Sequence, residues 1–179
     1  MGVRLILLRH GETLWNREHR VQGQLDVALA EEGIRQARRA AEAFRRIDVQ
    51  AVYSSDLSRA METARIIFPK AHIHPDVRLR ETYLGDWQGR IVSEVNAAPH
   101  GGESHGDVEK RVASFADEIK DYDGTVLAVT HGNAARILVA HCLGIEEESL
   151  RKLTNTAWGV LNYNHPRWTL AEWNVRAWL

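Results

Sequence analysis

Apolar positions along the chain switch repeatedly between strand-like runs and helical spacing. Val3 to Leu8 is an apolar run broken only by Arg4, which predicts a buried strand. Ile34, Ala37, Ala41 and Phe44 then recur at helical spacing, predicting a helix from about Ala30 to Arg46 with a charged outer face. Ala51 to Ser55 reads as a second strand, running into a helix from about Leu57 whose inner face is Ala60, Ala64 and Ile67. "AHIHP" predicts an edge strand stopped by Pro75. Val108, Val112, Phe115 and Ile119 mark another helix. Thr125 to Thr130 is a strong buried strand, followed by a helix carrying Ala134, Ile137, Leu138 and Cys142 and ended by Gly144. From Trp158 the tail alternates as two strands around an Asn164-His165-Pro166 turn. This order predicts an α/β fold: a three-layer α/β/α sandwich with a mostly parallel central sheet and an antiparallel C-terminal edge.

Composition narrows the function classes. The 179 residues suit one domain with a full core, taken as 1–179. A net charge of -1 argues against a nucleic-acid binder, which needs a basic surface, so any anion site has to be local. Cys142 is the only cysteine, which excludes an intrachain disulfide and fits a reducing cytoplasm; its apolar helical setting predicts an inert thiol. The first apolar run is too short to span a membrane and lacks the longer core of a secretory signal, so a cytoplasmic protein with no membrane partner is expected.

Ligands of open α/β sheets bind beyond the carboxyl ends of the strands. Three predicted strands end in reactive groups: Arg9-His10 after the first, Ser54 to Arg59 after the second, and His131 after Thr125–Thr130. Phosphoryl transfer to histidine needs a neutral imidazole, cationic donors for the equatorial oxygens, and a proton source for the leaving oxygen. Arg9 and Arg59 supply forked donors matched to phosphate. Arg59 falls in the first turn of its helix, where free amides favour an anion. His10 and His131 are each followed by glycine, Gly11 and Gly132, residues that permit close approach of a ligand or an unusual turn.

"LLRHGETLWN" resembles the signature of the histidine phosphatase superfamily, the group that includes phosphoglycerate mutases. The likeness continues in order through "VQGQLDVAL", "SSDLSRAMETA", "LRETYLGDWQG", "GGES" and "VTHGNAAR". The resemblance implies that His10 is the nucleophile and that Arg9, Arg59 and His131 form the phosphate pocket, assisted by Asn16 and the Gly132 backbone. Glu81 matches the acid/base glutamate, and Gln22 and Gly23 match a loop that touches substrate. Gly132 and Asn133 stand where the acid-phosphatase branch has an aspartate beside its second histidine, so that branch does not fit. The cations Arg9 and Arg59 disfavour a protonated His10, and they neutralise phosphate charge, so neither a metal nor another cofactor is expected.

Family mutases carry a long basic insertion between the glutamate and "GGES". Here the interval "TYLGDWQGRIVSEVNAAPH" is short, with Arg90 its only arginine or lysine. This favours a phosphatase acting on a small phosphomonoester over a mutase-like isomerase, or over a non-catalytic phospho-ligand binder. Trp15, Tyr83 and Trp87 either line a cleft or belong to the core, with the core the expectation for Trp87. His72 and His74 share a strand face but lack a third metal ligand, so an exposed face is expected. Glu146 to Glu148 reads as a solvated helix start. The arginines of Arg35–Arg46 read as a wet face. The C-terminal tryptophans either close the sheet edge or serve a homodimer contact.

Overall fold

The computed structural model describes residues 2–96 and 98–177. Along the chain come β1 (Val3–Arg9), α1 (Leu14–Arg17), α2 (Glu31–Phe44), β2 (Ala51–Ser54), α3 (Ser58–Ile67), β3 (Ile73–Pro75), α4 (His105–Ile119), β4 (Gly124–Thr130), α5 (Gly132–Leu143), β5 (Trp158–Asn164) and β6 (Arg167–Val175). The strands form one six-stranded sheet in the order β3-β2-β4-β1-β5-β6. β1, β2, β3 and β4 are mutually parallel, whereas β5 and β6 run antiparallel at one side.

β1 is apolar at nearly every position because both of its faces are covered. Leu5 and Leu7 face a core shared with Phe115 and Ile119 of α4 and Leu138 of α5. Ile6 and Leu8 face the opposite core, with Ala37 and Phe44 of α2 and Ala60 and Ala64 of α3. The three-layer expectation is therefore met, with α2 and α3 on one face and α4 and α5 on the other.

Element ends follow their capping chemistry. α2 starts after Ala30, with Glu31 and Glu32 in a first turn that favours negative charge, and stops at Phe44 rather than Arg46. α5 ends at Gly144, whose φ of 65° is the left-handed conformation that glycine adopts without a Cβ clash. The helix start expected at Glu146–Glu148 is one short 3-10 helix, Glu147–Ser149, with Glu146 and Glu148 exposed and Glu147 half-buried. Glu147 is drawn into that turn by a 2.9 Å ion pair with Arg136. His72 and His74 are exposed, as expected for an edge face. Among the described residues no group of three or more His, Cys, Asp or Glu side chains is placed to hold a metal. Among them, too, no helix is long and apolar enough to cross a membrane.

Candidate active site

Strand register brings the sequence-distant residues together. Arg9 pairs with Thr130 in the last rung between β1 and β4, so His10 and His131 come next on adjacent parallel strands. The His10 amide donates to the Thr130 carbonyl at 3.1 Å. Neighbouring strands lie about 4.8 Å apart, and the two imidazole centroids are accordingly 5.0 Å apart. On the far side of β4, the Ser55 amide donates to the Val129 carbonyl at 2.8 Å, extending the pairing past the end of β2. Ser55, His131 and His10 thus lie along consecutive strand tips, with Arg59 close behind in the first turn of α3.

His10 is buried, and its Nδ1–H donates to the Gly11 carbonyl at 2.7 Å. A carbonyl oxygen can only accept, so the proton sits on Nδ1 and the Nε2 lone pair is free. Burial, then the charges of Arg59 and Arg9, hold its pKa well below the usual 6.5, leaving a neutral ring at pH 7.

Both guanidinium groups are aimed by backbone carbonyls. Arg9 Nη1 donates to Leu153 at 2.6 Å, and Arg59 donates to Leu25 at 2.8 Å and to Gly23 at 2.7 Å. Arg59 is 1% exposed, and burial brings its pKa down to about 10 against the opposing charges of Glu81 and Asp26. Among the described residues neither arginine is ion-paired to a carboxylate. Arg9 Nε, Arg59 Nε and His131 Nδ1 are all buried without a partner. Buried polar atoms without a partner are rare in folded proteins, and two guanidinium Nε groups of this kind beside His10 suit an anionic ligand.

Glu81 follows β3 and the 3-10 turn Val77–Leu79. Its carboxylate accepts the Asn133 and Ala134 amides at the start of α5, each at 3.2 Å, and the Thr82 amide at 2.9 Å. Arg111 of α4 braces this segment by donating to the carbonyls of Arg78, Arg80 and Glu81, while Glu103 neutralises it at 2.8 Å. Asn16, which lines the cavity, accepts through Oδ1 from the Thr13 amide and from Asn155 Nδ2. Gln22 is set in the same way by the Thr13 hydroxyl, which donates to its Oε1 at 2.9 Å.

These groups surround a cavity of about 520 Å³ lined by Arg9, His10, Asn16, Gln22, Gly23, Arg59 and Glu81. His131 is fully buried beside His10, and Gly132 opens α5 next to the Arg9 guanidinium. Some expectations change. Gly11 serves packing rather than ligand approach, because a Cβ there would meet the Gly33 carbonyl oxygen at 2.6 Å. The first amide of α3, that of Ser58, is already taken by Asp26 at 2.7 Å, so it does not wait for an anion. Gly23, at a φ of 53°, holds Arg59 through its carbonyl as well as lining the cavity. Trp87 is not a core residue: with Trp15, Leu84, Val92 and Val95 it forms an apolar wall of the mouth, whereas Tyr83 is 40% exposed.

Two further residues touch the catalytic histidines: Ser55, read from the sequence only as part of the strand end Ser54 to Arg59, and Asn155, which the sequence did not single out. Asn155 donates to the His10 carbonyl at 3.1 Å and to Asn16 Oδ1 at 3.2 Å. Nothing local marks it, since its place depends on the antiparallel return of β5 beside β1. Ser55 had a signal, the double serine at a strand end, and its contact with His131 appears only once β2 and β4 are paired.

Against known proteins, a family model described as the histidine phosphatase superfamily (branch 1) matches residues 5–176. A glucosyl-3-phosphoglycerate phosphatase from Mycobacterium tuberculosis is 34% identical, over 97% of this chain and 95% of that protein. Phosphoglycerate mutase-like protein 4 of Arabidopsis thaliana is also 34% identical, over 94% of this chain and 84% of its own length. The solved structure of a mycobacterial glucosyl-3-phosphoglycerate phosphatase in complex with VO3 superposes with a TM-score of 0.90 at 35% identity, covering 96% of this chain and 98% of that one.

Proposed function

The chain belongs to the histidine phosphatase superfamily, and from that membership we propose that it is a metal-independent phosphatase hydrolysing a small phosphomonoester through a phosphohistidine at His10. One observation carries the reading: a neutral, buried imidazole with a free Nε2 stands among buried N–H groups that have no acceptor. The relatives named as glucosyl-3-phosphoglycerate phosphatases support the same reaction class.

His10 Nε2 attacks phosphorus in line with the leaving oxygen. Arg9 and Arg59 hold the equatorial oxygens, with Asn16, Gln22 and the Gly132 amide completing the cradle. His131 contributes its unpartnered Nδ1. Glu81 enters the cycle protonated, the charge of the bound phosphate favouring its acid form; as the P–O bond breaks it gives that proton to the departing alkoxide, and the phosphoryl group is left on Nε2. Water then attacks phosphorus, Glu81 takes its proton, the P–N bond breaks, and His10 returns to its neutral form with inorganic phosphate in the cradle. The arginines supply the charge neutralisation that a metal supplies elsewhere.

With 4-nitrophenyl phosphate as substrate, hydrolysis is expected to persist in excess chelator and to fall to background in His10→Ala. Alkaline quench of the wild-type protein during turnover should leave a phosphoryl adduct on His10 by peptide mass spectrometry. Chelator-sensitive turnover, or an active His10→Ala protein, would contradict the reading. Interconversion of phosphoglycerates outrunning their hydrolysis would favour the mutase chemistry named for other relatives.

A further inference from the structure

The described mechanism leaves one buried contact unused. His131 Nε2 lies 2.9 Å from the Ser55 hydroxyl, and the residues are fully buried. The same hydroxyl oxygen is approached by the Leu57 amide at 3.4 Å, an N–H that can only donate. The other nitrogen of the ring, Nδ1, has no partner and no access to solvent. Burial, and after it the nearby charges of Arg59 and Arg9, hold that ring neutral.

A neutral imidazole carries one proton, and the partner of one nitrogen decides where it sits. Were the proton on Nε2, it would point at Ser55 and leave a lone pair on Nδ1, which would repel an incoming phosphoryl oxygen. Were it on Nδ1, Nε2 would accept from the serine hydroxyl, whose oxygen still receives the Leu57 amide. Each of these three groups then has a role, and the unpartnered ring nitrogen becomes an N–H donor.

We propose that Ser55 is a positioning residue that holds His131 in its Nδ1–H tautomer, so that this ring meets the phosphoryl group as a hydrogen-bond donor without carrying a charge. The assignment rests on the phosphatase reading for its consequence, though not for its geometry. A neutral donor has a purpose here. An imidazolium 5.0 Å from the neutral His10 ring would add positive charge to a pocket already holding Arg9 and Arg59. A neutral Nδ1–H stabilises the transferring oxygens and leaves the cations to act alone. The placement also fits the strand register: Ser55 stands one position past the last rung of β2 with β4, Ser54 opposite Val129, and from there its hydroxyl reaches the ring.

Long-range 1H–15N correlation spectra of histidine-labelled protein without ligand read the tautomer directly. The wild type should show His131 protonated at Nδ1, assigned by its loss in His131→Gln. In Ser55→Ala, which removes one oxygen and no more, the ring should shift toward the Nε2–H form or a mixture. In that variant kcat/KM for 4-nitrophenyl phosphate should fall about tenfold, as for one lost hydrogen bond to a charged group. An Nε2–H signal in the wild type would overturn the proposal, and so would an Nδ1–H signal retained in Ser55→Ala with kcat/KM changed less than about twofold. The spectrum needs no turnover, so failure here is separable from failure of the phosphatase reading, which His10→Ala tests on its own.

Discussion

A histidine kept neutral by burial between guanidinium groups is a point at which acid attacks the fold. His10 and His131 both have native pKa values well below the ordinary 6.5. In the unfolded chain both return to the ordinary value, so below about pH 6.5 the unfolded state binds protons that the native state refuses. Stability is therefore complete above that pH and is lost as pH falls toward the native pKa values. Each histidine contributes up to about 1.4 kcal/mol per pH unit. Thermal unfolding should show the midpoint falling between pH 7 and pH 5.5. His10→Gln, which cannot titrate, should show a shallower fall over the same interval. An identical slope in wild type and variant would mean that His10 accepts its proton in the native state, contrary to the surroundings described for it.

At the scale of elements, the site depends on how closely α2 can approach the tip of β1. Gly11 and Gly33 meet backbone to backbone: a Cβ on Gly33 would sit inside the van der Waals shell of the Glu12 carbonyl oxygen, and one on Gly11 would reach the Gly33 carbonyl. That approach also lets Gln36 accept the Glu12 amide at 2.9 Å and the Ala30 amide reach the Glu12 carbonyl. Gly33→Ala should thus cost about 1–3 kcal/mol despite alanine's better helix propensity, lowering the thermal midpoint by several degrees. A rise in the midpoint would show that the backbone yields without strain. No glycine in a sequence announces such a meeting, because the clash involves a segment some twenty residues away. What can be read from the chain is periodicity, and it located the long helices and β1, β2 and β4 well, since both faces of those strands are buried. It missed α1, a four-residue helix whose Thr13 and Asn16 cap each other. It also missed the cavity-facing position of Trp87, which depends on a 3-10 turn and the backbone bonds joining residues 19–21 to 89–92. Asn155 was invisible for the same reason as Gly33: its partners His10 and Asn16 come from the opposite end of the chain.

For the whole molecule, the consequence of gathering these groups is a deep cationic pocket inside a protein of net charge -1. Arg59 is buried and Arg9 half-buried, their pKa values are lowered by loss of hydration, and the charge of Glu81 opposes them both in part. Folding the free protein therefore holds two guanidinium charges away from water with no carboxylate directly ion-paired to either among the described residues, and an oxyanion that enters should return part of that cost. The native state binds such an anion and the unfolded chain does not, so binding appears directly as stability. Inorganic phosphate at 100 times its dissociation constant adds about 2.7 kcal/mol, which for a chain of this size corresponds to a rise of about 5–10 °C in the unfolding midpoint. Chloride at matched ionic strength should give little of this, because it screens charge without offering several acceptor oxygens to a forked donor. Arg59→Gln should lose most of the phosphate-specific rise, since it removes the charge together with the unpartnered Nε. An equal rise with chloride, or an undiminished rise in Arg59→Gln, would place the stabilising anion elsewhere and detach the orphaned donors from the chemistry assigned to them.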